Sequence, residues 1–311
     1  MADAIAPRGR GRVVTGIGDD CAALRVPPGH ELLVTTDFSL EGVHFRRDWH
    51  SAESIGHRCL ARGLSDIAAM GGEPLATFLS IALPPKLPQA WVDGFLRGLL
   101  HLAREFKVAL AGGDTSASLD GVLADIVVLG SVPKGKAVLR AGARAGDRIY
   151  VTGALGGAAA ALRQMESGKR YSRAQHRLPM PRVQAGKILR KKKIATAMID
   201  LSDGLSTDLS HICEESGVGA QVWEQAIPHA RLGWHGQMVT SEDALHGGED
   251  YELLFTVRPK TLVTRTIAGS PVTLIGEIVK GRNIHLISRD GRRTAFTARG
   301  WEHFAKPHCT A

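Results

Sequence analysis

A mixed fold of strands and helices, arranged as two domains, is what this sequence predicts. Three observations point there. The chain has 311 residues, long for one core and comfortable for two. Short apolar, β-branched runs alternate with helix-period stretches in both halves. Between them, "PKGKAVLRAGARAGD" (133–147) is rich in Gly, Lys and Arg and poor in bulky apolar residues, which marks a boundary. The domains are therefore expected at 1–135 and 136–311.

In the first half, "ELLVTTD" (31–37) reads as a strand closed by Asp37. Ser51 is a candidate N-cap, and the helix it starts runs to about Met70, where Gly71 and Gly72 stop it. Ile55, Cys59, Arg62 and Asp66 share one face of that helix. "LSIAL" (79–83) is a strand ended by two prolines, and Trp91, Phe95, Leu99, Leu102 and Phe106 define an amphipathic helix. "VALAGGD" (108–114) is a strand leading to a glycine turn and Asp114, and "ADIVVLGSV" (124–132) is another strand.

The second half opens with the strand "RIYVTG" (148–153), then a glycine turn into a small-residue helix. "PRVQAGKILRKKK" (181–193) is a helix with proline at its first position, and "ATAMIDL" (195–201) a strand. Gly204 to Ser216 is a helix stopped by Gly217, and "YELLFTV" (251–257) and "VTLIGEI" (272–278) are strands.

Composition narrows the functional classes. Hydrophobic residues make up 44% and charged residues 23%, ordinary for a globular chain. No apolar run reaches the roughly 18 residues needed to span a bilayer, and the N-terminus lacks a secretory h-region. The expected compartment is the cytoplasm, with Cys21, Cys59, Cys213 and Cys309 as scattered thiols rather than a zinc site. A net charge of +8 admits nucleic acid, an acidic membrane surface or phosphorylated substrates as partners. The densest basic run, Arg190 to Lys193, reads as a solvated helix end, and no nucleic-acid-binding motif accompanies it.

The chemistry sits in recurring aspartates. Asp37, Asp114, Asp200 and Asp203 each follow an apolar run, and Asp19 and Asp20 follow "VVTGIG". Any one of them alone reads as a turn or cap residue. As a set they supply the hard oxygen ligands that Mg²⁺ takes. In "IDLSDGL" (199–205) two carboxylates flank Ser202 where a helix begins, a place suited to a metal-bridged phosphate or to simple N-capping. "VTGALGG" (151–157) lacks both the Walker ending and the dinucleotide fingerprint, so close packing competes with phosphate binding there. Glu249 and Asp250 stand on a glycine turn. His44 and Trp301 are candidate contacts, with structural roles as the alternative.

Taken together and in this order, "GIGDDCAAL", "TTDFSLEGVHF", "LSDIAAMGGEP", "GGDTS", "YVTGALG", "IDLSDGLSTDLSHI" and "GGEDYELLFTV" resemble the thiamine-monophosphate kinases, a family within the aminoimidazole-ribonucleotide synthetase superfamily. The resemblance covers almost the whole chain. It implies an α+β, α/β sandwich-like fold of two domains, an N-terminal ATP/Mg and dimerisation domain and a C-terminal domain completing the site, with the N-terminal sheets pairing in a homodimer. It implies transfer of the ATP γ-phosphoryl group to thiamine monophosphate, with Mg²⁺ and ATP required and no nucleic acid or membrane involved. By motif position it assigns Asp20, Asp37, Asp66, Asp114, Asp200 and Asp203 to metal. Of these, Asp37, Asp114, Asp200 and Asp203 are cast as catalytic. Thr35, Thr36, Asp20, Gly113, Arg140 and Ser202 are assigned to the nucleotide, and His44, Glu249 and Trp301 to the substrate. The alternatives are another ATP-dependent enzyme of the superfamily or, from a different class, a basic nucleic-acid-binding protein.

Overall fold

Strand alternation and helix caps set the frame, in a computed structural model that describes residues 12–167, 178–231 and 239–300. Described residues within Met1–Leu139 and Ser172–Ile194 form one unit, and those within Arg140–Tyr171 and Ala195–Ala311 form the other.

The first unit begins with a short antiparallel pair, β1 (Val13–Thr15) and β2 (Ala23–Leu24). It continues with β3 (His30–Leu40), α1 (Ala52–Ala69), β4 (Glu73–Leu83), α2 (Gln89–Glu105), β5 (Ala109–Ala117) and β6 (Leu123–Pro133). The sheet order is β3-β6-β4-β5, with only β4 and β5 parallel, as expected for strands joined through a helix. The chain then starts the second unit with β7 (Arg148–Thr152) and α3 (Gly157–Glu166), and returns to the first with α4 (Val183–Lys191).

Ser51 caps α1 by accepting the Ser54 N–H at 3.2 Å, and Gly71 leaves the helix at φ +66°. Along β3, Leu33 and Ser39 are buried and Thr35 and Asp37 half-buried, while Leu32, Val34, Thr36 and Phe38 are exposed. That period of two puts the first set on the face covered by α1. Two sequence expectations change here. Asp37 and Asp114 do not close their strands; β3 runs on to Leu40 and β5 to Ala117. All eleven β3 residues pair with β6, which carries the strand past Asp37, and beyond it the Phe38 carbonyl accepts from Arg62 Nη1 and the Leu40 N–H donates to His44 Nδ1.

The basic run is mostly the solvated helix end that its composition suggests, with Arg190 and, one turn earlier, Lys187 as the anchored cations. Arg190 Nε donates to the Gly71 carbonyl at 2.6 Å and Lys187 pairs with Glu73 at 3.0 Å, while Lys191 to Lys193 are exposed.

The second unit adds β8 (Ala195–Asp200), α5 (Leu205–Ser216), β9 (Gly219–Trp223), α6 (Ser241–His246), β10 (Leu253–Val257), β11 (Thr266–Ile267), β12 (Ser270–Val279), β13 (Ile284–Ile287) and β14 (Arg293–Ala295). The sheet order is β14-β13-β9-β12-β7-β10-β8, with β11 on the edge of β12. Ile149, Val151, Ile199, Leu209, Ile212, Leu254 and Ile275 form its core with α5. Asp200 ends its strand, one residue before the end expected from "ATAMIDL".

Candidate functional site

Two acidic clusters emerge, one in each unit. In the first, β3 and α1 meet. Gly63 leaves room for Val128 of β6, and the Thr35 hydroxyl hydrogen-bonds the Asp66 carboxylate. Asp37, two residues along the same strand face, is pushed up to about 7, chiefly by burial and next by the negative charge of Asp66; the Arg62 guanidinium opposes the shift. Arg62 also donates from Nη1 to the Phe38 carbonyl at 3.0 Å. The helix-face expectation for Arg62 and Asp66 thus places both beside Asp37.

Other candidates of this unit stand apart from that pair. Asp114, on β5, is level with Ser80 of β4, and β6 and β4 intervene between β5 and β3. Three strand spacings of about 4.8 Å separate the two backbones by roughly 14 Å. Gly113, at φ +147°, lies so close to β4 that a Cβ there would sit 1.8 Å from the Leu79 carbonyl oxygen. Asp20 is exposed, and its N–H donates to Asp19 at 3.1 Å. Thr36 points away from α1 and is exposed. His44 is half-buried, with Nδ1 accepting the Leu40 N–H at 3.0 Å, which leaves the proton of the neutral ring on Nε2.

The second cluster lies where β8 runs into α5. Asp200 is buried; Ser202 and Asp203 are half-buried on the turn. Gly204 holds φ +111°, and a Cβ there would come within 2.7 Å of the His246 backbone. Asp208, in the first turn of α5, is buried and accepts the N–H groups of Asp203 at 3.1 Å and Gly204 at 3.0 Å. Burial raises Asp208 well above the usual carboxylate range, and the charges of Asp200 and Asp203 add to the effect. Ligand atoms of Asp203, Asp208 and His211 lie within 4.8 Å of one another.

The glycine-rich loop before β10 is fastened to this turn. Glu249 donates its N–H to the Ser202 carbonyl and Tyr251 to the Leu201 carbonyl, both at 2.8 Å. Both residues adopt positive φ, 66° and 50°, an arrangement that costs on the order of 1–3 kcal/mol each and is held by these bonds. Asp250 is not an exposed acidic turn residue. It accepts the Gly156 N–H at 2.6 Å and the Ala158 N–H at 3.4 Å, so the start of α3 faces a carboxylate supplied by the chain itself. Shielding of this carboxyl raises it to about 7 against those two donors. Arg140 is elsewhere: its carbonyl accepts from Ser216, the last residue of α5, about 17 Å along the helix from Leu205.

A third set of bonds reaches the turn from the C-terminal side. Arg299 Nη2 meets His246 Nε2 at 2.7 Å, and Ser206 Oγ meets His246 Nδ1 at 2.7 Å. Burial, then the Arg299 charge, lowers the His246 pKa, so the neutral ring accepts at Nε2 and donates from Nδ1. The N–H groups of Arg299 and Gly300 donate to the Ser206 and Thr207 hydroxyls at 3.3 and 3.0 Å. Trp301 follows directly but lies outside the described residues, as does Cys309.

Comparison with known proteins gives this geometry a context. Residues 18–132 match the family "AIR synthase related protein, N-terminal domain", and 144–289 match its C-terminal domain counterpart. The thiamine-monophosphate kinase of Salmonella typhimurium is 39% identical, over 95% of this chain and 93% of its own. The chain belongs to the thiamine-monophosphate kinase family. A crystal structure of thiamine-monophosphate kinase from Stenotrophomonas maltophilia K279a superposes with a TM-score of 0.80 at 35% identity, covering 92% of this chain and 93% of that one. The structure of AaThiL complexed with AMPPCP and TMP superposes at 0.77 and 31% identity, covering 93% and 92%. The two-domain AIR synthase-like fold is thereby shown.

Against the thiamine-monophosphate kinase motifs, sequence reasoning passed over Asp208 and the acceptor role of Asp250. Asp208 stands in the first turn of α5, where a surface carboxylate that favours the helix dipole is ordinary and gives no signal of burial. Asp250 finds its partner 94 residues away, a relation no local pattern carries.

Proposed function

We propose that this protein transfers the γ-phosphoryl group of ATP directly to thiamine monophosphate, forming thiamine diphosphate and ADP. The observation that carries the reading is the full-length likeness to AaThiL, a relative solved with an ATP analogue and TMP together, at 31% identity. In the proposed step the bond from the γ-phosphorus to the β,γ-bridging oxygen breaks, and an oxygen of the thiamine phosphate forms the new bond. That oxygen is already anionic near neutral pH. No strong general base is required, and no phospho-enzyme is invoked.

The donor sets fit Mg²⁺. Each cluster offers carboxylate oxygens close enough to raise one another's proton affinity, a cost a divalent cation relieves. Asp37 and Asp66, with Thr35, would hold it in the first unit, and Asp200 and Asp203 in the second; Asp20 and Asp114 are further proposed ligands. Bound Mg²⁺ would neutralise phosphate charge and polarise the transferred group. The proposed nucleotide contacts are Thr36 and Gly113 in the first unit and Ser202, with the backbone of its turn, and Arg140 in the second; His44, Glu249 and Trp301 are the proposed contacts to thiamine monophosphate.

We also propose a homodimer through the β3 side of the first sheet's face opposite α1. Leu32, Val34 and Phe38 are 47%, 59% and 56% exposed on that face of β3, an apolar surface for a second copy. Val34→Lys should shift the sedimentation mass to that of a monomer.

The test of function is product analysis with thiamine monophosphate, ATP and Mg²⁺. Thiamine diphosphate should appear in step with ADP, and chelation should stop it. ATP consumption without thiamine diphosphate would reassign the chain to another reaction of the superfamily.

A further inference from the structure

Asp208 is the most shielded acid of the second cluster, 1% exposed, and it spends one oxygen on an unusual task. An ordinary capping side chain precedes its helix and reaches forward to the N–H groups of the first turn. Here the residue at that position is Gly204, which makes no side-chain cap. Asp208 instead reaches back from inside the helix, and its Oδ2 takes the N–H groups of Asp203 and Gly204. These two donors define the backbone direction at Asp203. An amide side chain could accept the same two bonds without adding a charge. A carboxylate there places a third acid beside Asp200 and Asp203, with ligand atoms of Asp203 and Asp208 within 4.8 Å. The repulsion is only useful where a cation arrives.

Resting on the kinase reading above, we propose that Asp208 is a positioning residue: its bonds to the Asp203 and Gly204 N–H groups hold the Asp203 carboxylate in one orientation, and its charge strengthens the attraction of that carboxylate for a divalent cation.

Two variants separate the parts. Asp208→Asn keeps an acceptor oxygen and removes the charge; Asp208→Ala removes both. Amide hydrogen exchange at Asp203 and Gly204, measured without nucleotide or metal, should accelerate about tenfold or more in the alanine variant and stay near wild type in the asparagine variant. Binding of Mn²⁺ to the nucleotide-free protein, followed by electron paramagnetic resonance, should weaken roughly three- to tenfold in the asparagine variant and further in the alanine variant. Turnover at saturating Mg²⁺ should fall about a hundredfold in the alanine variant, the scale of an ångström-sized misplacement, with at least tenfold recovered by asparagine.

Unchanged exchange in the alanine variant, or unchanged Mn²⁺ binding in the asparagine variant, would overturn the proposal. Equal kcat losses in both variants would do the same, since geometry would then count for nothing. If the alanine variant does not fold, the Mn²⁺ result with asparagine decides. Failure of the wild-type protein to make thiamine diphosphate would remove the kinase reading; the exchange and Mn²⁺ measurements would still stand or fall by themselves.

Discussion

The two acidic clusters are built by different means. In the first unit, Asp37 and Asp66 sit on regular elements, a strand fully paired along its length and a helix capped at Ser51. Side chains manage their charge: the Thr35 hydroxyl and the Arg62 guanidinium. In the second unit the acids sit on and around a turn, and backbone N–H groups manage the charge, at Asp203 and Gly204 for Asp208 and at Gly156 and Ala158 for Asp250. The lesson is that a rigid element fixes a carboxylate by its own geometry, whereas a turn needs other parts of the chain to fasten it.

The sharpest way to probe this difference is Asp203→Asn. Loss of the charged ligand should lower turnover about 10²–10³-fold and raise the Mg²⁺ requirement. Wild-type rates at low Mg²⁺ would remove the turn from the mechanism. Next comes Gly204→Ala, which forces a side chain into φ +111° and against the His246 backbone. A loss of about 2–4 kcal/mol in chemical denaturation is expected. A neutral result would show that the turn tolerates what the fastening was thought to forbid.

A smaller effect separates backbone-managed charge by pH. Asp250 has a folded value near 7 against an ordinary 3.8, so between these values the folded protein holds a proton that the unfolded chain releases. Its contribution to stability is complete below about pH 4 and declines as pH rises to about 7. Between pH 5 and pH 8 the urea midpoint of the wild type should therefore fall relative to that of Asp250→Asn. A constant difference would mean Asp250 is ionised throughout. Least of all should change in Arg97→Ala. Arg97 pairs with Glu53 at 3.0 Å with both side chains more than half exposed, away from either cluster, and a change within about 0.5 kcal/mol is expected.

Where local chemistry decides structure, the sequence could be read. Ser51 and Gly71 bound α1, Gly217 ends α5 with φ +64°, and Asp200 ends β8. Short elements escaped. α6 is six residues long, and its capping box between Thr240 and Asp243 was the available signal. β13 and β14, at four and three residues with half-buried or exposed side chains, present no clean alternation. The extra length of β3 and β5 comes from pairing with neighbours, a cooperative effect absent from either segment alone. Within the site, the motifs pointed to Asp37, Asp66, Asp200 and Asp203. Asp250 and His246 act through partners that folding alone brings near, whereas Asp208 reaches back only four and five residues to a turn whose shape no pattern of residue types announces.

One detail of connectivity governs how the protein can be born. Helix α4 packs with the first unit, through Arg190 on Gly71 and Lys187 on Glu73, yet it is encoded after β7 and α3 of the second. A nascent chain that has emerged only to Leu139 lacks that helix and must wait for some fifty further residues, several seconds of synthesis at about 5–20 residues per second, before its first unit can close. Truncation at that point should leave the Gly71 end of α1 bare and prone to capture by chaperones.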